Sequence, residues 1–140
     1  MATKRMYSTN VIDSDEFLNL PMSAQYLYFH LGMKTDDDGF VLGTRRVMKY
    51  IDASEEDLNT LIRKGFLIEF PSKVYVMTHF HVNNTLKNDR YHPTIYQDEY
   101  SHLGRTKNNE YYLVRPFSAD ENEYDSEADE EPCYGGDWYT

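Results

Sequence analysis

The sequence lacks most of the features on which a catalytic or metal-binding function could rest. Its single cysteine, Cys133, leaves no partner for an internal disulfide and no cysteine cluster for a metal. No apolar run approaches the ~20 residues that a membrane-spanning helix needs, and no signal-peptide core follows Met1. Gly-rich phosphate loops and the GxSxG and HExxH motifs are also missing. These absences favour a non-enzymatic cytoplasmic protein without metal or cofactor.

Basic residues are absent from one end of the chain. Residues 117–140 hold nine of the 24 acidic residues and none of the 14 basic ones. Residues 1–116 therefore carry 15 acidic and 14 basic residues, a formal charge of −1 against −10 for the whole sequence. The acidic end has too few aliphatic side chains to bury a core. We expect a folded domain at 1–103, a linker at 104–116 and a disordered acidic tail at 117–140.

The most informative stretch runs from Thr44 to Thr78, where the hydrophobic period changes. Apolar residues recur at helical spacing in two short segments and then alternate in two more, joined at Pro71–Lys73. Ser54, with Asp57 three residues later, predicts a capped start for the second helix. Helix, turn, helix and hairpin is the order of a winged helix-turn-helix. We therefore expect a mainly helical α+β domain with a small β-hairpin wing, and Phe40–Leu42 as the hairpin's third strand.

The segments before this stretch predict shorter elements around one buried helix. Residues 1–10 are polar and are expected to form an arm, and Val11–Ile12 an edge strand. Asp13–Asp15 supplies capping side chains for a short helix, which ends before Pro21. The segment from Ala24 to about Met33 is apolar on more than one face, as expected for a central helix.

Two groups of potential metal ligands have simpler interpretations. The run Asp36–Gly39 suggests calcium, but the alternating acidic positions and the later bidentate glutamate of a calcium loop are missing. A turn that caps chain ends is therefore favoured. His79 and His81 would lie on one side of a strand, without Cys, Asp or Glu at ligand spacing beside them. They are interpreted as packing histidines at a strand end.

Ordered short matches between Lys4 and Glu99 carry a resemblance to a known family. They are Arg5–Ser8, Val11–Leu18, Leu20–Gln25, Leu27–Leu31, Asp36–Val41, Ala53–Leu58, His79–His81, Asn83–Asn84 and Lys87–Thr94. In them the chain resembles the N-terminal domain of phage replisome organisers, replication initiation proteins of phages that infect low-GC Gram-positive bacteria. The resemblance implies a winged-helix domain akin to that of DnaD-type primosome proteins, which binds origin DNA or replication partners. Such organisers usually continue into a second helical domain, whereas this sequence has the acidic tail.

The charges disfavour the usual way in which a winged helix enters DNA. The second helix of the motif enters the major groove by its N-terminal end, which here is Ser54–Asp57 with three carboxylates. Those carboxylates stabilise a helix start by about 0.3–1 kcal/mol each, but they would repel the phosphates of DNA. The candidate DNA-binding residues lie elsewhere, and an ordinary solvated charge is the alternative for each. They are Arg45, Arg46, Lys49, Arg63, Lys64, Lys73, Lys87 and Arg90.

The tail suggests a second kind of contact, with a protein partner. Acidic residues interleaved with aromatics resemble the C-terminal tails of single-stranded-DNA-binding proteins, which dock on basic pockets or cover a DNA site. A purely solubilising tail is the alternative. The partner-binding candidates are Asp129, Glu130, Glu131, Asp137, Trp138 and Tyr139.

Two functions from different classes follow from these patterns. The first is a replication initiation protein that binds DNA or host or phage replication proteins. The second is an acidic phage inhibitor, a DNA mimic, anti-defence or host-takeover protein, that binds a basic host protein instead of DNA. Homo-oligomers are a further expectation, because the DnaD-like resemblance implies dimerisation through N-terminal elements. Val11, Ile12 and Phe17 are the candidate contacts.

Overall fold

The computed structural model describes residues 3–114, which form an α+β fold that is mainly helical. The α-helices are α1 (Thr9–Ile12), α2 (Asp15–Leu18), α3 (Met22–Met33), α4 (Thr44–Ile51), α5 (Glu55–Arg63), α6 (Phe80–Asn83) and α7 (Gln97–Tyr100). The strands are β1 (Leu67–Glu69), β2 (Tyr75–Met77), β3 (Leu103–Arg105) and β4 (Tyr111–Leu113), and Asn88–Arg90 is a 3₁₀ helix. The strands pair as two antiparallel hairpins, β1–β2 and β3–β4. The predicted α+β class is confirmed, and the predicted acidic tail lies outside the described residues.

The centre of the fold is α3, as its apolar sequence predicts. Ala24, Leu27, Tyr28 and Leu31 are fully buried along it. The helix packs against both α4 and α5. It begins at Met22, just before the expected start, because Pro21 takes the N-cap position, where the missing N–H of a proline costs nothing.

The stretch from α4 to β2 follows the predicted order, and its local chemistry is visible in the contacts. The Ser54 hydroxyl accepts a hydrogen bond from the Asp57 N–H at 3.1 Å, and the Ser54 N–H donates back to Asp57 Oδ2 at 3.4 Å, which completes the predicted capping box. The free edge of β2 is lined by the chain around Phe40. There the Val41 N–H donates to the Tyr75 carbonyl at 2.8 Å, and Phe40 forms an isolated β-bridge with Val76. The predicted third strand over Phe40–Leu42 is therefore reduced to a single bridge beside a two-stranded sheet.

The N-terminal region differs from its prediction in two respects. Val11 and Ile12 lie in helix α1 and not in an edge strand, because the Ser8 hydroxyl caps that helix by accepting from the Asn10 N–H. Residues 5–8 are tied down and do not form a free arm. The side chain of Asn84 accepts from the Met6 N–H at 2.8 Å, and that of Asn83 accepts from the Ser8 N–H at 2.7 Å.

The residues expected to mediate self-association belong largely to the core of the chain itself. Val11 is 4% exposed and Phe17 is 1% exposed, so neither side chain is available on the surface. Ile12 is half-buried and packs against the same core. The proposed contacts of Val11 and Phe17 with a second copy are therefore wrong.

The segment predicted as a linker from 104 to 116 is instead folded up to the end of the described residues. The β3–β4 hairpin docks on the core through Tyr111, which is 5% exposed. The Tyr111 N–H donates to the Thr78 carbonyl at 2.9 Å, and its hydroxyl donates to the Asp38 carbonyl at 2.7 Å. A few buried apolar positions, with Leu103 among them, are enough to attach a hairpin whose turn is otherwise polar.

The docking of this hairpin makes stability depend on pH through His81. Its Nε2 lies 2.8 Å from the Tyr111 hydroxyl. Burial, and then the charge of Arg105, lowers the pKa of His81 to about 4 from 6.5. The unfolded chain therefore takes up the proton first, so stability present above pH 6.5 is lost as the pH falls toward 4. Between pH 7.5 and 4.5 this loss is expected to be about 2.5 kcal/mol.

Urea unfolding followed by circular dichroism at those two pH values measures the total loss, to which His79 also contributes because burial lowers its pKa. The substitution His81→Gln, which keeps a polar side chain beside Tyr111, should reduce the pH dependence by most of that amount. His30→Gln on α3 serves as the matched control. An unchanged pH dependence in His81→Gln would show that other groups are responsible.

Candidate nucleic-acid interface

The outer face of α4 exposes two cations and an aromatic ring. Val47 and Met48 are buried on the inner side of this helix, where they pack into the core. Arg46, Lys49 and Tyr50 lie at helical spacing on the opposite side, and all three are exposed, Tyr50 to 85%. Within residues 3–114 neither Arg46 nor Lys49 forms an ion pair. We call Arg46, Lys49 and Tyr50 the α4 face.

Arg45, the third predicted residue of α4, is engaged with neighbouring elements. Its guanidinium pairs with the carboxylate of Glu55 at the start of α5. It also lies near the hydroxyl of Tyr75, which donates to Glu69 at 3.2 Å. Burial and then Glu69 raise the pKa of Tyr75, and Arg45 opposes that shift. Arg45 therefore helps to fix α4 against the β1–β2 hairpin.

Lys73 joins the same cluster from the tip of the hairpin. Its Nζ lies 3.8 Å from Glu69, the carboxylate that accepts from Tyr75. The residue has a φ of 65°, a left-handed conformation that suits the tight turn. The structure thus brings Arg45 and Lys73 to one place, but with two carboxylates between them, so the cluster has little net charge.

The remaining four predicted cations lie in other surroundings. Arg63 is 3.8 Å from Glu56 on the exposed side of α5. Lys64 lines a cavity of about 610 Å³ together with residues of α1, α2 and the β3–β4 turn. Lys87 precedes the 3₁₀ helix, and Arg90 lines a groove beside the N-terminal segment. The eight predicted residues therefore form several groups and not one surface.

The start of α5 is less negative than its sequence suggests. Asp57 is buried, because its carboxylate accepts from the N–H of the N-cap residue Ser54 and from the Ser23 hydroxyl of α3, the latter at 2.7 Å. Only Glu55 and Glu56 face solvent, and each is paired with an arginine, Arg45 and Arg63 respectively. The expectation that three carboxylates would face phosphates is therefore wrong for Asp57. Two exposed and paired carboxylates remain at this helix end.

The run Asp36–Asp38 holds three distant segments together, and we call it the aspartate loop. Asp36 Oδ1 accepts from two N–H groups of its own loop, those of Asp38 and Phe40, both at 3.0 Å. Asp37 accepts from the Arg5 guanidinium at 3.1 Å and from the His92 N–H at 3.0 Å. The interpretation of this run as a turn is confirmed, but Asp37 binds distant segments where capping of chain ends was expected.

Asp38 is the most deeply buried member of the aspartate loop. Its carboxylate accepts from the Tyr91 hydroxyl at 2.7 and 2.8 Å and from the Thr94 N–H at 2.8 Å. Burial raises the pKa of Asp38 despite these hydrogen bonds, and the charges of Asp36 and Asp37 act in the same direction. In the part of the chain that the structure describes, no group of three or more His, Cys, Asp or Glu side chains could hold a metal ion.

The two histidines pack as interpreted, but on a different element. The chain leaves β2 and turns into α6, so His79 is the N-cap of a one-turn helix and His81 lies within it. The His79 ring lies 5.5 Å from that of Phe66, and the His81 ring 5.1 Å from that of Tyr111. The predicted placement on a strand is wrong, and the packing role is confirmed.

Tyr50 is the site residue that sequence reasoning missed. Its signal was present, because a large aromatic side chain stands on the polar side of an amphipathic helix, four residues after Arg46. Lys4, which lines the groove with Arg90, was also missed, since it lies in a segment expected to be a free arm. The tail candidates Asp129, Glu130, Glu131, Asp137, Trp138 and Tyr139 lie outside the described residues.

No helix within residues 3–114 is both long and apolar enough to cross a membrane. Comparison with protein-family models, with curated proteins and with solved structures finds no match for this chain.

Proposed function

We propose that this chain is a winged-helix protein of the replication-initiation type, and that it contacts DNA phosphates through the α4 face. The order of elements supports a winged helix. Helix α3 is followed by the segment around Phe40, then by α4, α5, β1 and β2, and the Phe40 segment pairs with the free edge of β2. Helix, short strand, two helices and a two-stranded wing are the parts that this fold combines.

The observation that carries the DNA-binding proposal is the composition of the α4 face. Arg46 and Lys49 are free of carboxylate partners among the described residues, whereas Arg45, Arg63 and Lys73 are each paired. In helix-turn-helix proteins the first helix of the motif crosses the phosphate backbone, and here that helix is α4. Phosphate contacts of this kind supply most of the sequence-independent affinity for DNA.

The start of α5 supports backbone contact over base recognition in the groove. Glu55 and Glu56 would approach phosphates if this helix entered the major groove in the usual way. Their pairing with Arg45 and Arg63 reduces the repulsion but also occupies two guanidiniums. The function in replication itself rests on the family resemblance of the segments between Lys4 and Glu99.

Replacing both cations of the α4 face tests this proposal. Arg46→Ala/Lys49→Ala is expected to weaken binding to a short duplex at low salt by about tenfold or more. The slope of log K against log salt is negative, and the loss of two phosphate contacts should reduce its magnitude by about 1.8. Fluorescence anisotropy of a labelled duplex across a salt series measures both quantities.

The control is a second pair of exposed cations, removed to match the change in net charge. Lys34→Ala/Lys107→Ala changes two exposed lysines on other elements, the C-cap of α3 and the β3–β4 turn. Equal losses of affinity in the two double variants would mean that only net charge matters, which contradicts a site on α4. An unsubstituted chain that binds no DNA at low salt would refute the proposal and favour the acidic inhibitor.

A further inference from the structure

A groove that the proposed function does not use lies between the N-terminal segment and the residues after α6. We call it the N-terminal groove. It has a volume of about 580 Å³, within the ~300–1,000 Å³ range of small-molecule sites. Its lining includes Lys4, Arg5, Met6, Leu86, Arg90 and His92.

The charge of the N-terminal groove is positive. Lys4 and Arg90 are exposed, and neither forms an ion pair with any residue between 3 and 114. Among the described residues of the lining, Asp37 is the one carboxylate, and Arg5 and the His92 N–H already engage it. The neighbouring Asp89 is exposed on the 3₁₀ helix and does not belong to the lining. An anion would therefore meet two cations without carboxylate partners.

The walls of the groove are fixed before any ligand arrives. The Arg5 side chain is only 2% exposed, donates to the Thr35 carbonyl at 2.9 Å, and lies 5.2 Å from the centre of the Phe80 ring. Its buried Nε has no hydrogen-bond partner within residues 3–114. The Met6 N–H is held by Asn84 on the opposite wall. Preorganised walls lower the entropic cost of binding.

We propose that the N-terminal groove binds a phosphate-bearing ligand of nucleotide size. Lys4 and Arg90 contact the phosphate, which a lysine meets as a point charge and an arginine through paired N–H groups. Met6, which is 54% exposed, and Leu86 offer apolar surface to the sugar or base. The same chemistry is found in a free nucleotide and at a phosphate of a nucleic-acid strand. This proposal does not depend on DNA binding by the α4 face.

The test is a titration of the isotopically labelled full chain, followed by amide NMR signals at low salt. The probes are deoxyadenosine monophosphate, a short 5′-phosphorylated oligothymidylate and inorganic phosphate. Shifts at Met6, Leu86 and His92 are expected with at least one of the first two probes. Lys4→Ala/Arg90→Ala should weaken that binding by about tenfold or more, the effect of losing one to two charge-assisted contacts.

Matched variants separate this site from the α4 face. Lys34→Ala/Lys107→Ala and Arg46→Ala/Lys49→Ala should leave the groove shifts of the mononucleotide unchanged. Binding of the mononucleotide assigns a free nucleotide, and binding of the oligonucleotide alone assigns a strand; both support the proposal. Shifts with inorganic phosphate alone, shifts with no probe, or equal losses in all three double variants would overturn it. Because Lys4 and Arg90 are exposed, unfolding midpoints of the variants should match that of the unsubstituted chain.

Discussion

Arg5→Ala is expected to lower the free energy of unfolding by about 3–5 kcal/mol, the usual effect of removing one member of a buried ion pair. The Arg5 and Asp37 side chains are 2% and 11% exposed, and they meet at 3.1 Å. The substitution leaves a carboxylate without its cation and the Thr35 carbonyl without its donor. Urea unfolding followed by circular dichroism at pH 7 measures the loss.

The same substitution should alter the response to acid. Burial alone would raise the pKa of Asp37, but the His92 N–H and the hydrogen bond and charge of Arg5 outweigh it, so this pKa lies below the usual 3.8. The stability that Asp37 contributes is therefore present above pH 3.8 and is lost as the pH falls below that value. The free energies of unfolding of the unsubstituted chain and of Arg5→Ala should therefore differ less under those acid conditions than at pH 7.

Arg5→Lys separates charge from geometry at this position. A lysine keeps the positive charge but cannot reproduce the planar group that reaches Thr35, Asp37 and the Phe80 ring together. An intermediate loss is expected. A loss below about 1 kcal/mol in Arg5→Ala would mean that water replaces the guanidinium, contrary to its burial.

Asp38→Ala is expected to cost about 3–4 kcal/mol, because it removes the acceptor of the Tyr91 hydroxyl and of the Thr94 N–H. Thr94 is 4% exposed, so its N–H has little access to water as a substitute. The segment from 91 to 94 would also lose its main attachment to the aspartate loop. The same urea titration at pH 7 measures this effect.

Two further substitutions calibrate the result for Asp38. Burial raises the pKa of Asp38, so the ionised carboxylate is itself unfavourable in the fold. Asp38→Asn removes that charge and keeps one acceptor, so its loss should be smaller than that of alanine. Asp89→Ala, an exposed carboxylate on the 3₁₀ helix, should change stability by less than about 0.5 kcal/mol. Equal effects of Asp38→Ala and Asp89→Ala would contradict the attachment described here.

The parts of the fold that follow from neighbouring residues were predictable from the sequence. The Ser54–Asp57 capping box, the burial of α3 and the β1–β2 hairpin are each encoded within a dozen residues or so. The predicted edge strand at Val11 was wrong because an apolar side chain fits a strand or a helix equally well. The cap at Ser8 was the signal that favours the helix. The hydrophobic period alone does not distinguish a helix from a strand in so short a segment.

Contacts between distant segments could not be predicted in this way. Tyr111 reaches Asp38 across 73 positions, and Ser8 reaches Asn83 across 75, so the second hairpin and the fixed N-terminus depend on the assembled core. The candidate site was likewise predictable only in part. That Arg46 and Lys49 share a helix face follows from their spacing, but the pairing of Arg45 with Glu55 depends on how α4 and α5 pack.

The aspartate loop has a consequence for the order of events on the ribosome. Synthesis delivers the N-terminal residues first, so α3, α4, α5 and the β1–β2 hairpin emerge while Tyr91, Thr94 and Tyr111 are still missing. Until they arrive, Asp38 has none of these partners. Nascent chains should therefore become resistant to proteolysis late, only after the ribosome has released Tyr111.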